Sequence, residues 1–313
     1  MRLLITGGAG CLGSNLVERY LPQGHEILVI DNFATGRRET LAGIDGLDLV
    51  EGSVADAALV DAACARFRPT QIIHGAASYK DPDDWHEDAA SNIAGTLNLL
   101  AAARRAGVRR FVNFQTALCY GRPDRVPIPI EHPCRPFTSY GVSKTAAESY
   151  ISLSNMPFVS LRLANVVAPR LAIGPIPSFY RRLKAGEKCF CTNAVRDFLD
   201  IEDFFGIVDL VLADNAPTGI FNVSTGEGHT IKEVYDHVAR YLGIATAVPV
   251  SVVEPGADDV PAVVLDPSRT RATLGWEAKI GFAQSLDRML RWYDAHGVSA
   301  VYSHLKAPGP RDE

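Results

Sequence analysis

Tyr140 and Lys144 stand four residues apart in Tyr140-Gly141-Val142-Ser143-Lys144, which places a phenol and an ammonium on one face of a helix. A cation beside a phenol favours the phenolate and lowers its pKa from about 10, so the pair reads as a base for proton transfer. Upstream, Asn113-Phe114-Gln115-Thr116 is a strand-like run ending in a hydroxyl. That ending predicts Thr116 at the carboxyl edge of a sheet, where ligands bind in open α/β folds. A Tyr-xxx-Lys spacing also arises by chance, so the reading depends on the elements around it.

The first of these elements is Thr6-Gly7-Gly8-Ala9-Gly10-Cys11-Leu12-Gly13, between a strand-like and a helix-like segment. Glycines there permit a tight turn and close approach of backbone to a pyrophosphate, which sits on the N–H groups opening the helix. Gly7, Gly10, Cys11 and Leu12 are the predicted contacts. Asp31 closes the second strand 18 residues beyond Gly13, near the spacing of a carboxylate that accepts from ribose hydroxyls. Such a carboxylate repels a 2′-phosphate, which favours NAD over NADP. Arg37 and Arg38 follow and read as solvated loop residues rather than a phosphate site.

Apolar runs alternating with helical segments predict βαβ units. Strands are expected at residues 3–6, 26–30, 47–51, 71–74, 109–115 and 158–163, and helices at 13–21, 57–66, 85–106 and 140–155. The predicted class is α/β: a doubly wound parallel Rossmann sheet over 1–167, a smaller C-terminal α/β substrate-binding lobe over 168–306, and a tail at 307–313. Residues 206–212 read as helical, and residues 219–223 could return to the sheet. Gly174-Pro175-Ile176-Pro177 is a plausible helix opening toward an anion.

Hydrophobic residues make up 47% of the 313 positions, enough for a sizeable core. The formal charge of −5 supplies no broad positive field, which argues against a protein that mainly neutralises nucleic-acid phosphates. Six cysteines without CxxC pairs fit a reducing compartment, and eight scattered histidines without HExxH give no metal site. No apolar run reaches the roughly 18 residues of a spanning helix. The opening Met-Arg-Leu-Leu-Ile-Thr-Gly leads directly into a strand, so no membrane partner and a cytoplasmic location are expected.

The glycine loop, Asp31, His74-Gly75-Ala76-Ala77, Asn92 in Asn-Ile-Ala-Gly-Thr, Thr116 and the Tyr140/Lys144 pair together resemble the extended short-chain dehydrogenase/reductases. Within them the match is to the NAD-dependent sugar-nucleotide epimerase/dehydratase family, in its UDP-glucose 4-epimerase-like branch. The likeness continues through Arg162-Leu163-Ala164-Asn165, Val195-Arg196-Asp197-Phe198, Phe221-Asn222-Val223 and Leu274-Gly275-Trp276. It spans nearly the whole chain.

That resemblance implies that Tyr140 takes a proton from a sugar hydroxyl while bound NAD accepts hydride from the same carbon. Lys144 would hold the nicotinamide ribose, and Thr116 the reacting oxygen. It extends the cofactor set to Asn32, Gly36, Ser53, Val54, Ala76, Ala77 and Lys80, and gives Thr116, Tyr140, Asn165 and Arg196 to the substrate. Lys80 could instead meet a uronic-acid carboxylate and reads equally as a solvated loop residue, and Arg196 also fits a surface pair with Asp197 or Asp200. Phe190 either packs on the base or belongs to the core.

Dehydratases of the family carry Asp-Glu after the Thr, where Ala117 and Leu118 stand here; neither can move a proton, which favours epimerisation. Cys119 falls one position past the cysteine of relatives that epimerise beside a ketone, and on an extended segment that offset turns it to the opposite face. It reads as a structural thiol. No arginine occurs in residues 253–258, where relatives carry one for the diphosphate, and Ser53 replaces a family Asp.

The expected activity is epimerisation, at C4, of an NDP-sugar, with UDP-hexose or its amino or uronic derivative favoured, in surface polysaccharide such as O-antigen synthesis. A 4-ketoreductase consuming NAD(P)H, a dehydratase and a non-enzymatic NAD-binding scaffold are the alternatives. The resemblance also implies a homodimer through a four-helix bundle of the helix before strand five and the helix bearing Tyr140.

Overall fold

Leu3 and Ile5 project from the first strand into one apolar layer while Leu4 projects into another, and the same split recurs at Ile27/Val29 against Leu28/Ile30. Side chains alternating into two cores require a sheet covered on both faces. The computed structural model, which describes residues 1–79, 81–244, 250–253, 259–298 and 301, contains such a sheet.

The chain runs β1 (Arg2–Thr6), α1 (Cys11–Tyr20), β2 (Glu26–Asp31), α2 (Arg38–Leu41), β3 (Leu47–Glu51), α3 (Ala57–Phe67), β4 (Gln71–His74), α4 (Trp85–Glu87), α5 (Gly95–Ala106), β5 (Arg110–Thr116), α6 (Ser139–Leu153) and β6 (Phe158–Leu163). It continues through β7 (Asn165–Val167), α7 (Pro175–Lys184), β8 (Phe190–Thr192), β9 (Val195–Arg196), β10 (Phe198–Asp200), α8 (Ile201–Leu212), β11 (Gly219–Val223), β12 (His229–Thr230), α9 (Ile231–Tyr241), β13 (Ser251–Val253), β14 (Ala262–Val263), α10 (Ser268–Leu274) and α11 (Phe282–His296).

Seven parallel strands lie in the order β11-β6-β5-β4-β1-β2-β3. α1 and α8 cover one face; α3, α5 and Ile151 of α6 cover the other. Residues 219–223 do return to the sheet, with Phe221 opposite Leu161. The sheet thus takes one strand and one covering helix from beyond residue 167. α7, α9 and α11 pack around a separate apolar cluster that includes Phe179, Val234 and Leu286.

Two local expectations are corrected. The helix expected at 85–106 is interrupted, since a π-helical turn, Asp88–Ala94, separates α4 from α5 and buries Asp88, Ser91 and Asn92. The segment after Thr116 is a 3-10 turn, Ala117–Tyr120, and not extended. Neighbouring side chains there point about a third of a turn apart rather than to opposite faces. Cys119 is nevertheless fully buried among Tyr120, Ile128 and Leu265. The expected tail at 307–313, Lys80 and residues 254–258 lie outside the described residues.

Candidate active site

The glycine loop turns where backbone must approach backbone. Gly7 has φ +70, and a Cβ on Gly13 would lie 2.2 Å from the Gly7 carbonyl oxygen. Only hydrogen fits there, which lets α1 begin at Cys11 directly against β1. Cys11 Sγ points to the Pro169 carbonyl at 3.4 Å, and burial pushes its thiol up to about 12. Leu12 is partly buried against the same core.

Asp31 ends β2 at 7% exposure. Its Oδ2 accepts from Ala9 N and its Oδ1 from Phe33 N, each at 2.8 Å, while burial raises its pKa. The carboxylate thus braces the glycine loop, and its further lone pairs suit ribose hydroxyls. Gly36 packs beneath it, since a Cβ there would come 3.1 Å from Asp31 Oδ1. Asn32 is exposed and accepts from Ala34 N. Arg37 pairs with Glu39 and Arg38 with Glu51, the surface role expected of both.

Ser53 Oγ accepts from Ala55 N, Val54 is buried with its carbonyl bonded to Asn98, and Ala76 N donates to Thr6 Oγ1. Ala77 follows in the same loop, half-buried. With the glycine turn, the α1 N-terminus and Asp31, these residues make a cradle of the shape and chemistry that a dinucleotide needs.

Thr116 closes β5, and its Oγ1 accepts from Leu118 N at 3.1 Å, starting the 3-10 turn. Tyr140 is the second residue of α6, whose N-terminus is capped by Thr138 through Gly141 N. The structure brings Thr116 and Tyr140 together through a side-chain hydrogen bond. The Tyr79 ring lies 5.8 Å from that of Tyr140 at an interplanar angle of 54°.

The expected electrostatics of Tyr140 are corrected. Burial raises its pKa, Tyr79 and Asp88 add to the rise, and only the Thr116 hydrogen bond among the nearer influences opposes it. Lys144 is itself 2% exposed and lowered to about 8 by burial, against the pull of Glu148. A shared helix face therefore does not make Lys144 the group that sets the phenol in the protein alone; desolvation leads, followed by Tyr79 and Asp88.

Sequence reasoning missed Gln115. Its Oε1 accepts from Thr116 N at 2.8 Å and its Nε2 donates to the Lys144 carbonyl at 2.9 Å, so one amide holds the end of β5 against α6. An amide directly before the strand-end Thr116, in a strand that also carries Asn113, was the available signal. Beneath it, Arg162 pairs with Glu148 at 2.6 Å and donates to Tyr120 Oη, which donates to Asn222. Arg162 and Asn222, quoted as family-like positions, are thus parts of a buried polar brace.

At the other end, Asn165 is exposed at the start of β7 and Nδ2 donates to the Asp197 carbonyl. Arg196 is also beside Asp197 in sequence, but its guanidinium pairs with Asp259 and with the Val195 carbonyl. The alternative partners are engaged elsewhere: Asp197 by Thr225 and Gly226, and Asp200 by Glu202 N and Arg288. Phe190 is 48% exposed and so is not core. Gly174 does open a helix, α7, from φ +91. Among the described residues, no group of three or more His, Cys, Asp or Glu side chains is arranged to hold a metal.

A parallel Rossmann sheet, a glycine loop closed by Asp31, and a Thr-Tyr-Lys set at the sheet's carboxyl edge define a class of NAD-dependent enzymes. Residues 3–224 match the model of the NAD dependent epimerase/dehydratase family, and the chain belongs to that family. The UDP-glucose 4-epimerase of Mycolicibacterium smegmatis is 32% identical, over 94% of this chain and 98% of that one. Among solved structures, the Bordetella bronchiseptica enzyme WbmG in complex with NAD and UDP is 64% identical with a TM-score of 0.94, covering 98% of this chain and 99% of that chain. WbmH of the same organism, in complex with NAD+, is 41% identical with a TM-score of 0.89, covering 95% and 99%. The cofactor is NAD. Among the described residues no helix is long and apolar enough to cross a membrane.

Proposed function

We propose that this protein is a nucleotide-sugar 4-epimerase acting on a UDP-hexose or its amino or uronic derivative, within surface polysaccharide synthesis. The observation that carries the reading is the hydrogen-bonded Thr116/Tyr140 pair followed by apolar Ala117 and Leu118. The pair can move one proton at one carbinol, and the next two positions offer no acid or base for eliminating water. Similarity to 4-epimerases and to a structure with NAD and UDP supports the substrate class.

Bound NAD supplies a reversible hydride acceptor. Gly7, Gly10, Cys11, Leu12, Asp31, Asn32, Gly36, Ser53, Val54, Ala76, Ala77 and Lys80 would hold it, with Tyr140 and Lys144 at its nicotinamide end. Thr116 fixes the sugar oxygen, and Tyr140 takes that oxygen's proton as the carbon is oxidised. After the keto-sugar turns over, Tyr140 returns the proton and the opposite configuration results. Asn165 would bind the diphosphate, joined by Arg196 once its guanidinium is shared with or released from Asp259.

Tyr140→Phe keeps the ring and removes the proton carrier. Turnover of UDP-sugars followed by NMR should fall by about 10²–10⁴-fold. Undiminished epimerisation would sink the reading; stoichiometric NAD(P)H consumption would move the protein to the ketoreductases. Exposed Leu97 on α5 and Val142, Tyr150 and Leu153 on α6 support a homodimer through these helices. Sedimentation showing only monomer at micromolar concentration would reject it.

A further inference from the structure

The π-helical turn buries three polar side chains, and two of them leave no buried polar atom unpartnered. Asn92 bonds to Ser78 and Ser143, and Ser91 to Glu87. Asp88 differs. It is 1% exposed, it takes side-chain hydrogen bonds from Ser139 and Ser78, and its Oδ1 has no hydrogen-bond partner. Ser139 is the first residue of α6, immediately before Tyr140. Buried polar atoms are almost always satisfied, so an orphaned carboxylate oxygen beside a reacting phenol calls for a role.

We infer that Asp88 is a positioning residue for Tyr140: its carboxylate docks the π-helical turn on the first turn of α6 and holds a negative charge beside the phenol. This deepens, and rests on, the reading of Tyr140 as proton carrier. A reversible reaction needs a group that gives the proton back as readily as it takes it. A fixed carboxylate favours the protonated phenol and so maintains the donor for the return step.

The groups acting on Tyr140 are Tyr79 from the loop after β4, Asp88 from the π-helical turn, Thr116 at the end of β5 and Cys119 in the 3-10 turn. Asp88 is the carboxylate of that set. Asp88 itself faces Ser139 on α6, Ser78 after β4, and Asp84 and Glu87 just ahead of it. Lys144, on Tyr140's own helix, has Glu148 as its charged neighbour.

The test is the pH dependence of kcat/KM for UDP-hexose epimerisation by the NAD-loaded enzyme. Asp88→Asn removes the charge at nearly constant shape. The acidic limb, which reports ionisation of Tyr140, should move down by about one pH unit, since losing a like charge favours the phenolate. An unmoved midpoint in a folded, NAD-retaining Asp88→Asn enzyme overturns the inference while leaving the epimerase reading intact if Tyr140→Phe is inactive. An active Tyr140→Phe brings down the parent reading instead. Should Asp88→Asn not fold, Ser139→Ala loosens the carboxylate from α6. It should displace the same limb downward by a smaller amount, and no displacement counts against the inference.

Discussion

Asn92 Nδ2 donates to Ser143 Oγ at 2.9 Å, and this buried bond ties the π-helical turn to the helix that carries Tyr140 and Lys144. The same amide group donates to the Ser78 carbonyl and its oxygen accepts from Ser78 N, so loop, turn and helix meet at one side chain. A further chain of hydrogen bonds leads away from it: Thr96 Oγ1 donates to the Asn92 carbonyl and contacts His74 Nε2, and His74 Nδ1 contacts Thr6 Oγ1 at the edge of the glycine loop.

Asn92→Ala would leave the Ser78 N–H and C=O without their side-chain partner. At about 1–3 kcal/mol for a buried unsatisfied group, the loss should total roughly 3 kcal/mol. The melting temperature should drop by several degrees, and turnover should drop with it. A variant that melts with the parent would show that this junction contributes little.

Lys144 illustrates a stability cost accepted at a site. Burial lowers its ammonium from 10.5 to about 8. Between pH 8 and 10.5 the unfolded chain therefore binds more protons than the folded one, and stability rises with pH across that window. Below pH 8 the whole cost is present, roughly 3 kcal/mol at about 1.4 per pH unit. Lys144→Met, in nucleotide-free protein, should unfold at a higher temperature than the parent at pH 7. The gap should close toward pH 10.5, while epimerisation is lost. Equal melting temperatures at pH 7 would contradict this assignment.

The Arg162–Glu148 pair is buried on both sides, with side chains 8% and 4% exposed. Removing one partner strands a charge, so Glu148→Leu alone should destabilise by about 3–5 kcal/mol. Adding Arg162→Met should recover a large part of that loss. Chemical denaturation of the two single variants and the double variant measures the coupling; additive losses would deny it.

Cys119 and Cys134 are hydrogen-bonded neighbours with opposite shifts: burial raises Cys119, while its bond to Cys119 lowers Cys134. Cys134 is also the more exposed of the two. Brief iodoacetamide treatment of the native protein near neutral pH, read by mass spectrometry, should label Cys134 and spare Cys119. Labelling of Cys119 first would reverse the assignment of the thiolate.

The parallel sheet was legible because strands covered on both faces are written as continuous apolar runs, and the glycine loop because close backbone approach excludes every side chain at Gly13. The places of Thr116 at a strand end and of Tyr140 and Lys144 on one helix were legible from local periodicity, while the roles expected of them came from the family resemblance. Tertiary structure decided the rest. The π-helical turn that buries Asp88 and Asn92 has the same local pattern as an α-helix and is distinguished by what packs against it. Gln115 bridges to a carbonyl 29 residues away, and Arg196 pairs with a carboxylate 63 residues away. The direction of the Tyr140 shift likewise required the folded chain. Spacing suggests which groups are near, but desolvation is a property of the surrounding protein, and here it is the largest influence on the phenol.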